Sequence, residues 1–202
     1  HEGCVRVGDL PRPDGQPMSS NPYAQAVAAT REVLANVAAD QLGAPTPCAS
    51  YNVGQLIDHL VGAQYFFLAG LEGTPPVGAD AEYHSGDYLA AYDDITAKAI
   101  AAFSEPGVME KMLSLPFGEM PGAAVMGLAT NDTLTHGWDL AKATGQDTDL
   151  APELAAAVLE QARATIPDEF RGPEGAPFGP EQPCADDAPA ADRLAAFLGR
   201  TV

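Results

Sequence analysis

The sequence predicts an all-α fold: four long helices forming a bundle, then a loop-rich C-terminal extension with short extra helices. Two features of the long segments predict it. Their apolar residues recur at intervals of three and four, which gives a helix one buried face. Capping residues or proline open them, and glycine or proline close them. The size also fits, because 202 residues that are 46% hydrophobic suffice for one domain with a sizeable core.

The first helix lies in "SSNPYAQAVAATREVLANVAADQLG". Ser20 or Asn21 caps it, Pro22 suits its first turn, and Ala26, Val27, Val33, Leu34 and Val37 form its stripe. Gly43 and "APTPC" end it. The second helix lies in "SYNVGQLIDHLVGAQYFFLAGLEG", with Val53, Leu56, Ile57, Leu60, Phe67, Leu68 and Leu71 on one face, and Gly73, Pro75 and Pro76 closing it. The third runs from about Ser85 or Gly86 to Phe103, on a stripe of Tyr88, Leu89, Tyr92, Ile95, Ala99 and Phe103. Residues 105–122 read as an irregular link with one short strand at 111–117. The fourth helix spans about Pro121 to Thr144, with Gly145 as a left-handed stop. "DLAPELAAAVLEQARATI" is a fifth, opened by Asp149 or by Pro152. A Pro- and Gly-rich loop follows, in which Phe170 and Phe178 are expected to be covered, and "AADRLAAFLGR" is a short last helix.

Residues 1–17, "HEGCVRVGDLPRPDGQP", show no periodicity and read as a tag or non-native leader before Met18, taking His1 and Cys4 with them. Residues 18–202 read as a single domain, with the bundle at about 20–146 and the extension at 147–202. Net charge is −18, which disfavours nucleic acid and acidic membrane surfaces as partners. No apolar run approaches the roughly 20 residues of a membrane span, and no secretory signal is visible, so a soluble cytoplasmic protein is expected. Cys4, Cys48 and Cys184 form no Cys-x-x-Cys pair and read as reduced thiols.

The stretch "NDTLTHGWDLAKATGQD" carries the candidate chemistry. Asp132 and His136 stand at i and i+4, one helical turn apart, and Val125, Leu128 and Ala143 share their sector. The pair is therefore expected to look inward, with Asp139 on the same side. His59 sits beside Leu56, Leu60 and Ala63 at the margin of the second helix's apolar face. A bundle can bring it opposite the pair. Two imidazoles and a carboxylate are the donor set of a catalytic metal site with an open position. Zinc is the default ion, with nickel or iron(II) as alternatives. Plainer readings exist: an i,i+4 surface interaction for the pair, a hydrogen-bonded core histidine for His59, and a simple acceptor role for Asp139. With a metal present, Asp139 is expected to support a histidine ligand from behind. Trp138 is expected to pack against the fifth helix or the C-terminal loop. His84 is expected to be exposed.

The words "LPFGEMPG", "DTLTHGWDLAKATGQD", "NVGQLIDHLVGAQYFFLAGL" and "PFGPEQPCADDAPAADRLAAFLGR" resemble an actinobacterial family. It is the DinB-like metal-binding family of the mycothiol-dependent maleylpyruvate isomerase N-terminal type, and the resemblance runs from residue 22 onward. It implies a DinB-like four-helix bundle whose metal is held at His59, Asp132 and His136. The isomerase itself has a further C-terminal domain. Only a short tail follows the fifth helix here, so its isomerase activity is not carried over.

The resemblance implies a divalent-metal-binding protein acting as a mycothiol-type thiol S-transferase on a small electrophile. The nucleophile would be a metal-bound thiolate, or water if the reaction is hydrolysis, so no catalytic side chain is assigned. A non-enzymatic metal- or ligand-binding bundle is the further alternative. Expected partners are the small-molecule thiol and its electrophile, in a monomer or homodimer.

Overall fold

The computed structural model describes residues 21–172 and 178–202, and the 1–17 leader lies outside them. Six α-helices and one two-stranded hairpin are found among the described residues. Helix α1 (Pro22–Ala35) starts where the Asn21 side chain accepts from the Ala24 N–H at 3.2 Å. Helix α2 (Val53–Glu72) starts in a reciprocal box: Gln55 N–H donates to the Asn52 side chain, and Asn52 N–H to that of Gln55. Asp87 caps α3 (Tyr88–Phe103).

Strands β1 (Met112–Leu115) and β2 (Gly118–Pro121) follow as an antiparallel hairpin. The link was expected to hold one short strand, and it holds two. Leu113 and Leu115 point into the core while Met112 and Phe117 stay exposed. Four-residue strands are too short to show that alternation clearly among neighbouring Gly and Pro.

Helix α4 (Gly122–Ala143) ends as its sequence predicts. Gly145 adopts φ 69°, Gln146 N–H reaches Ala141 O at 2.9 Å, and Gly145 N–H reaches Lys142 O at 3.4 Å. These two bonds form the paired helix stop that a left-handed residue permits. Helices α5 (Pro152–Thr165) and α6 (Ala190–Phe197) complete the chain. None of the described helices is long and apolar enough to cross a membrane.

The four long helices close a ring: α1 packs on α4, α4 on α2, α2 on α3, and α3 on α1. Leu56, Ile57, Leu60, Tyr92, Ile95 and Val125 fill the space between them. A second core forms where α5 and α6 cover α4, centred on Trp138, Leu134, Leu159, Leu194 and Leu198. Trp138 thus packs against α5 and α6, and its Nε1–H donates to Asp192 at 2.8 Å. Phe178 is half-buried against this core, but Phe170 is exposed, contrary to expectation. The neighbouring Arg171 makes the inward contacts instead. Its guanidinium donates to the carbonyls of Gly179 and Phe197 and stacks on the Phe197 ring.

Polar side chains fix the register of the bundle. Gln64 on α2 donates to Thr133 Oγ1 on α4 at 3.1 Å and accepts from the Tyr23 hydroxyl on α1. Thr30 on α1 donates to the Thr133 carbonyl at 3.1 Å. All four residues are buried, so leaving any partner unmatched costs about 1–3 kcal/mol. The α1–α4 approach also demands a glycine. A Cβ at Gly137 would lie 2.4 Å from Thr30 Oγ1. Gly137→Ala is therefore expected to destabilise the protein by about 1–3 kcal/mol through overpacking, despite alanine's better helix propensity. Urea denaturation measures it, and equal or higher stability in the variant would refute the close packing of α1 on α4.

Candidate functional site

His59 lies in the middle of α2, where the Gln64–Thr133 bond fixes α2 against α4 one turn further along. Asp132 and His136 lie on the facing side of α4. The three side chains converge. His59 Nε2 is 3.5 Å from Asp132 Oδ2, and His136 Nε2 is 3.4 Å from Asp132 Oδ1. The two imidazole rings meet edge to face with centroids 4.5 Å apart. These separations exceed the 2.7–3.2 Å of a good N–H···O bond. His59 Nε2 and Asp132 Oδ2 are in fact buried without any hydrogen-bond partner. A buried polar atom left this way is costly. Two of them facing each other describe a place that a cation would satisfy.

The other ring nitrogen of His136 is already committed. Nδ1 donates to Asp139 Oδ2 at 3.0 Å, which leaves Nε2 turned toward Asp132. Asp139 is fully buried and is itself held by Arg200, whose Nε and Nη2 donate to its two oxygens at 3.1 and 3.0 Å. This bidentate pair fixes the carboxylate plane. It also ties the last residues of the chain to α4.

Three groups among the described residues bring donor atoms within 4.8 Å of one another: His59, Asp132 and His136; Cys48, His136 and Asp139; and Asp58, Glu82 and His84. The second is engaged, since Arg200 and His136 take both oxygens of Asp139. The third is a clasp. Asp58 accepts from the backbone N–H groups of Tyr83 and His84 and from the His84 ring, pinning that loop to α2. His84 is therefore half-buried, its ring hydrogen-bonded to Asp58, rather than exposed as expected. Of the three, the first is the one with buried nitrogen and oxygen atoms left unmatched, and its two imidazoles and one carboxylate suit a first-row divalent ion.

The group opens onto a cavity of about 760 Å³. Cys48, Tyr51, Ala63, Phe66, Phe117 and Leu128 are among its walls, and Arg200 and Gly199 close one end. Leu128 was expected to point into the core with Asp132 and His136. It is 42% exposed on the cavity wall, because that sector of α4 passes from core to cavity along its length. Tyr51 stacks on the His59 ring, with its hydroxyl 3.5 Å from Nδ1. The sequence reading missed Tyr51 and Arg200 as neighbours of the site, and gave Cys48 no role. They sit in a loop and in the chain's last residues, where no periodic signal links them to α2 or α4.

Electrostatics tie the group together. Burial pushes His136 down, but the adjacent carboxylate of Asp132, then Asp139, outweigh it and lift the ring to about 10. Burial likewise pushes Asp132 up, and the two imidazoles overcome it, holding the carboxyl well below the usual range. Asp139 is depressed as well, its burial outweighed by His136 and Arg200. Without a metal, the His136 proton supplies the positive charge between the two carboxylates.

Residues 23–141 match the family described as mycothiol maleylpyruvate isomerase N-terminal domain. Two relatives, an uncharacterized protein from each of two strains of Mycobacterium tuberculosis, are 49% identical over 172 residues, covering 84% of this chain and 91% of theirs. Among solved structures, the fold is similar to the mycothiol-dependent maleylpyruvate isomerase and to a histidine-to-alanine mutant of it. The TM-score is 0.58 in each case at 13% identity, covering 80% of this chain and 74% of the other. At that identity the likeness is one of fold.

For protein stripped of metal by a chelator, the raised His136 sets the direction of pH dependence. A histidine whose folded value exceeds its unfolded value contributes stability fully below about 6.5 and loses it as pH rises through about 10. The depressed carboxylates contribute above their ordinary value near 3.8 and lose that contribution in more acid solution. Melting temperature of the stripped protein is expected to fall between pH 6.5 and 10, and the His136→Gln variant is expected to lose most of that slope. A slope unchanged in the variant would contradict this charge arrangement.

Proposed function

Because the chain belongs to the mycothiol maleylpyruvate isomerase N-terminal domain family, we propose that it is a divalent-metal-dependent thiol S-transferase using mycothiol or a closely related thiol. His59, Asp132 and His136 hold the ion, with zinc the first choice. The observation that carries this reading is the pair of buried, unpartnered atoms, His59 Nε2 and Asp132 Oδ2, facing each other beside His136 Nε2.

A divalent ion held by these three residues would favour the thiolate form of a bound thiol and so supply a nucleophile at neutral pH. The chain's own residues do the rest. Asp139 fixes the His136 ring with Nε2 turned toward Asp132, and Arg200 fixes Asp139. The Gln64–Thr133 bond keeps α2 and α4 in the register that brings His59 to the same point. The cavity walls hold the electrophile. In the transfer, sulfur forms a bond to the electrophilic carbon, the leaving group departs with the bonding pair, and the thiol proton goes to solvent. No protein nucleophile is required.

The cavity favours chemistry over a purely structural ion. A structural zinc is enclosed by four protein ligands, whereas three donors beside an open cavity would leave a position free. Metal-assisted hydrolysis would use the same position, so the thiol decides between them.

Metal analysis after zinc loading is expected to give one ion per chain in the wild type and far less than one in His136→Ala or Asp132→Ala. Asp139→Asn is expected to retain the ion with about 10–100-fold weaker affinity, as outer-shell partners of ligating histidines do. Wild-type protein should transfer mycothiol to a reactive electrophile, detected by mass spectrometry, and chelation should abolish the transfer. Full transfer activity in metal-free protein, or equal metal content in all variants, would refute the assignment.

A further inference from the structure

The cavity beside the triad has an uneven lining. Its apolar lining consists chiefly of Phe66 and Phe67 from α2, Phe117 from the hairpin turn, Leu128 from α4 and Phe178 from the C-terminal loop. Two of these are left open to solvent, Phe117 at 59% and Leu128 at 42%. Large apolar side chains gathered around a concave site mark a surface waiting for an apolar ligand. The wall is also built rather than accidental. Leu115 packs so closely on Gly70 that a Cβ there would lie 2.7 Å from it, which seats the hairpin turn on α2. The Phe117 ring then stacks on Phe66, with centroids 6.1 Å apart and planes inclined by 26°. Phe66 meets Phe67 edge to face at 5.5 Å.

Charge points the same way. Arg200 is the only Lys or Arg in the lining among the described residues, and both oxygens of Asp139 already hold it. Asp80 adds a negative charge to the rim, in a chain of net charge −18. Thr135 donates to the Asn131 side chain, so part of the remaining polar lining is paired internally. A dicarboxylate such as maleylpyruvate would find no unpaired guanidinium or ammonium in this lining, and the His136 ring, the other cationic group, already stands between Asp132 and Asp139. The positive charge of an ion at the triad would be met by Asp132 and by the thiolate.

We infer that the electrophile this site accepts is an uncharged molecule carrying an aromatic ring, held on the wall of Phe66, Phe117, Leu128 and Phe178 with its reactive carbon toward the triad. The inference rests on the thiol-transfer reading for its reaction. Its recognition chemistry stands on the wall alone. An aromatic ring adds offset or edge contacts to the Phe66–Phe117 pair and removes the exposed faces of Phe117 and Leu128 from water.

The test uses two inert probes of matched shape, 1,3-dinitrobenzene and 3,5-dinitrobenzoate, titrated into the full chain by isothermal calorimetry with ligand-observed NMR. Neither carries a leaving group, so binding is read without turnover. The neutral probe is expected to bind at least tenfold more tightly than the anion. Phe117→Ala and Leu128→Ala are each expected to weaken it at least threefold. Both side chains are exposed, and circular dichroism checks that the variants fold. Equal or tighter binding of the anion, or unchanged binding of the neutral probe in both variants, overturns the inference. Loss of the preference with thiol transfer intact removes this inference alone. Absent transfer with the preference intact removes the thiol reading and leaves an aromatic-binding cavity.

Discussion

A half-buried carboxylate set between two imidazoles needs a positive charge, and the rest of this structure is arranged around that need. Asp132 meets His136 along its own helix and His59 across the bundle, at separations too long for either to satisfy it by hydrogen bonding. A proton on His136 meets the need in the metal-free state. In the proposed metal-bound state a divalent ion meets it instead, and satisfies the orphaned atoms on His59 and Asp132 together. Competition between proton and metal for the same nitrogen would make metal affinity fall as solution becomes acid.

Convergence of groups from two helices requires that the helices cannot slide. Gln64, Thr133, Thr30 and Tyr23 form a buried polar lattice across α1, α2 and α4 close to the site, and Gly137 lets α1 and α4 approach closely enough to form it. The C-terminal segment adds a second constraint. Asp192 ties α6 to Trp138 on α4, and Arg200 reaches Asp139, so the chain's last residues hold the carboxylate that holds the His136 ring. The extension thus orients the site as well as covering an apolar face.

The parts of this arrangement carried by helix periodicity were legible in the sequence. The i,i+4 spacing of Asp132 and His136 dictates a common side, and Gly145 dictates where α4 stops; both appear as read. His59 at the margin of an apolar face was enough to suggest which residue opposes them. Asp139 accepts from the His136 ring, which fits both a plain acceptor and a support for a metal-ligating histidine. What failed depended on contacts distant in sequence. Arg200 pairs with Asp139 across 61 positions, and Asp58 pins His84 from 26 positions away. No local pattern encodes either. The hairpin was too short to announce its second strand, and the contact from Arg171 to the Gly179 and Phe197 carbonyls, beside an exposed Phe170, has no local pattern either.

Zinc-edge X-ray absorption on the zinc-loaded protein tests the central claim most directly. A metal held by His59, Asp132 and His136 predicts two imidazole nitrogens and at least one carboxylate oxygen at about 2.0–2.2 Å from the ion, with one imidazole lost in His59→Ala and one in His136→Ala. A zinc shell without imidazole, or one that both substitutions leave unchanged, would contradict it.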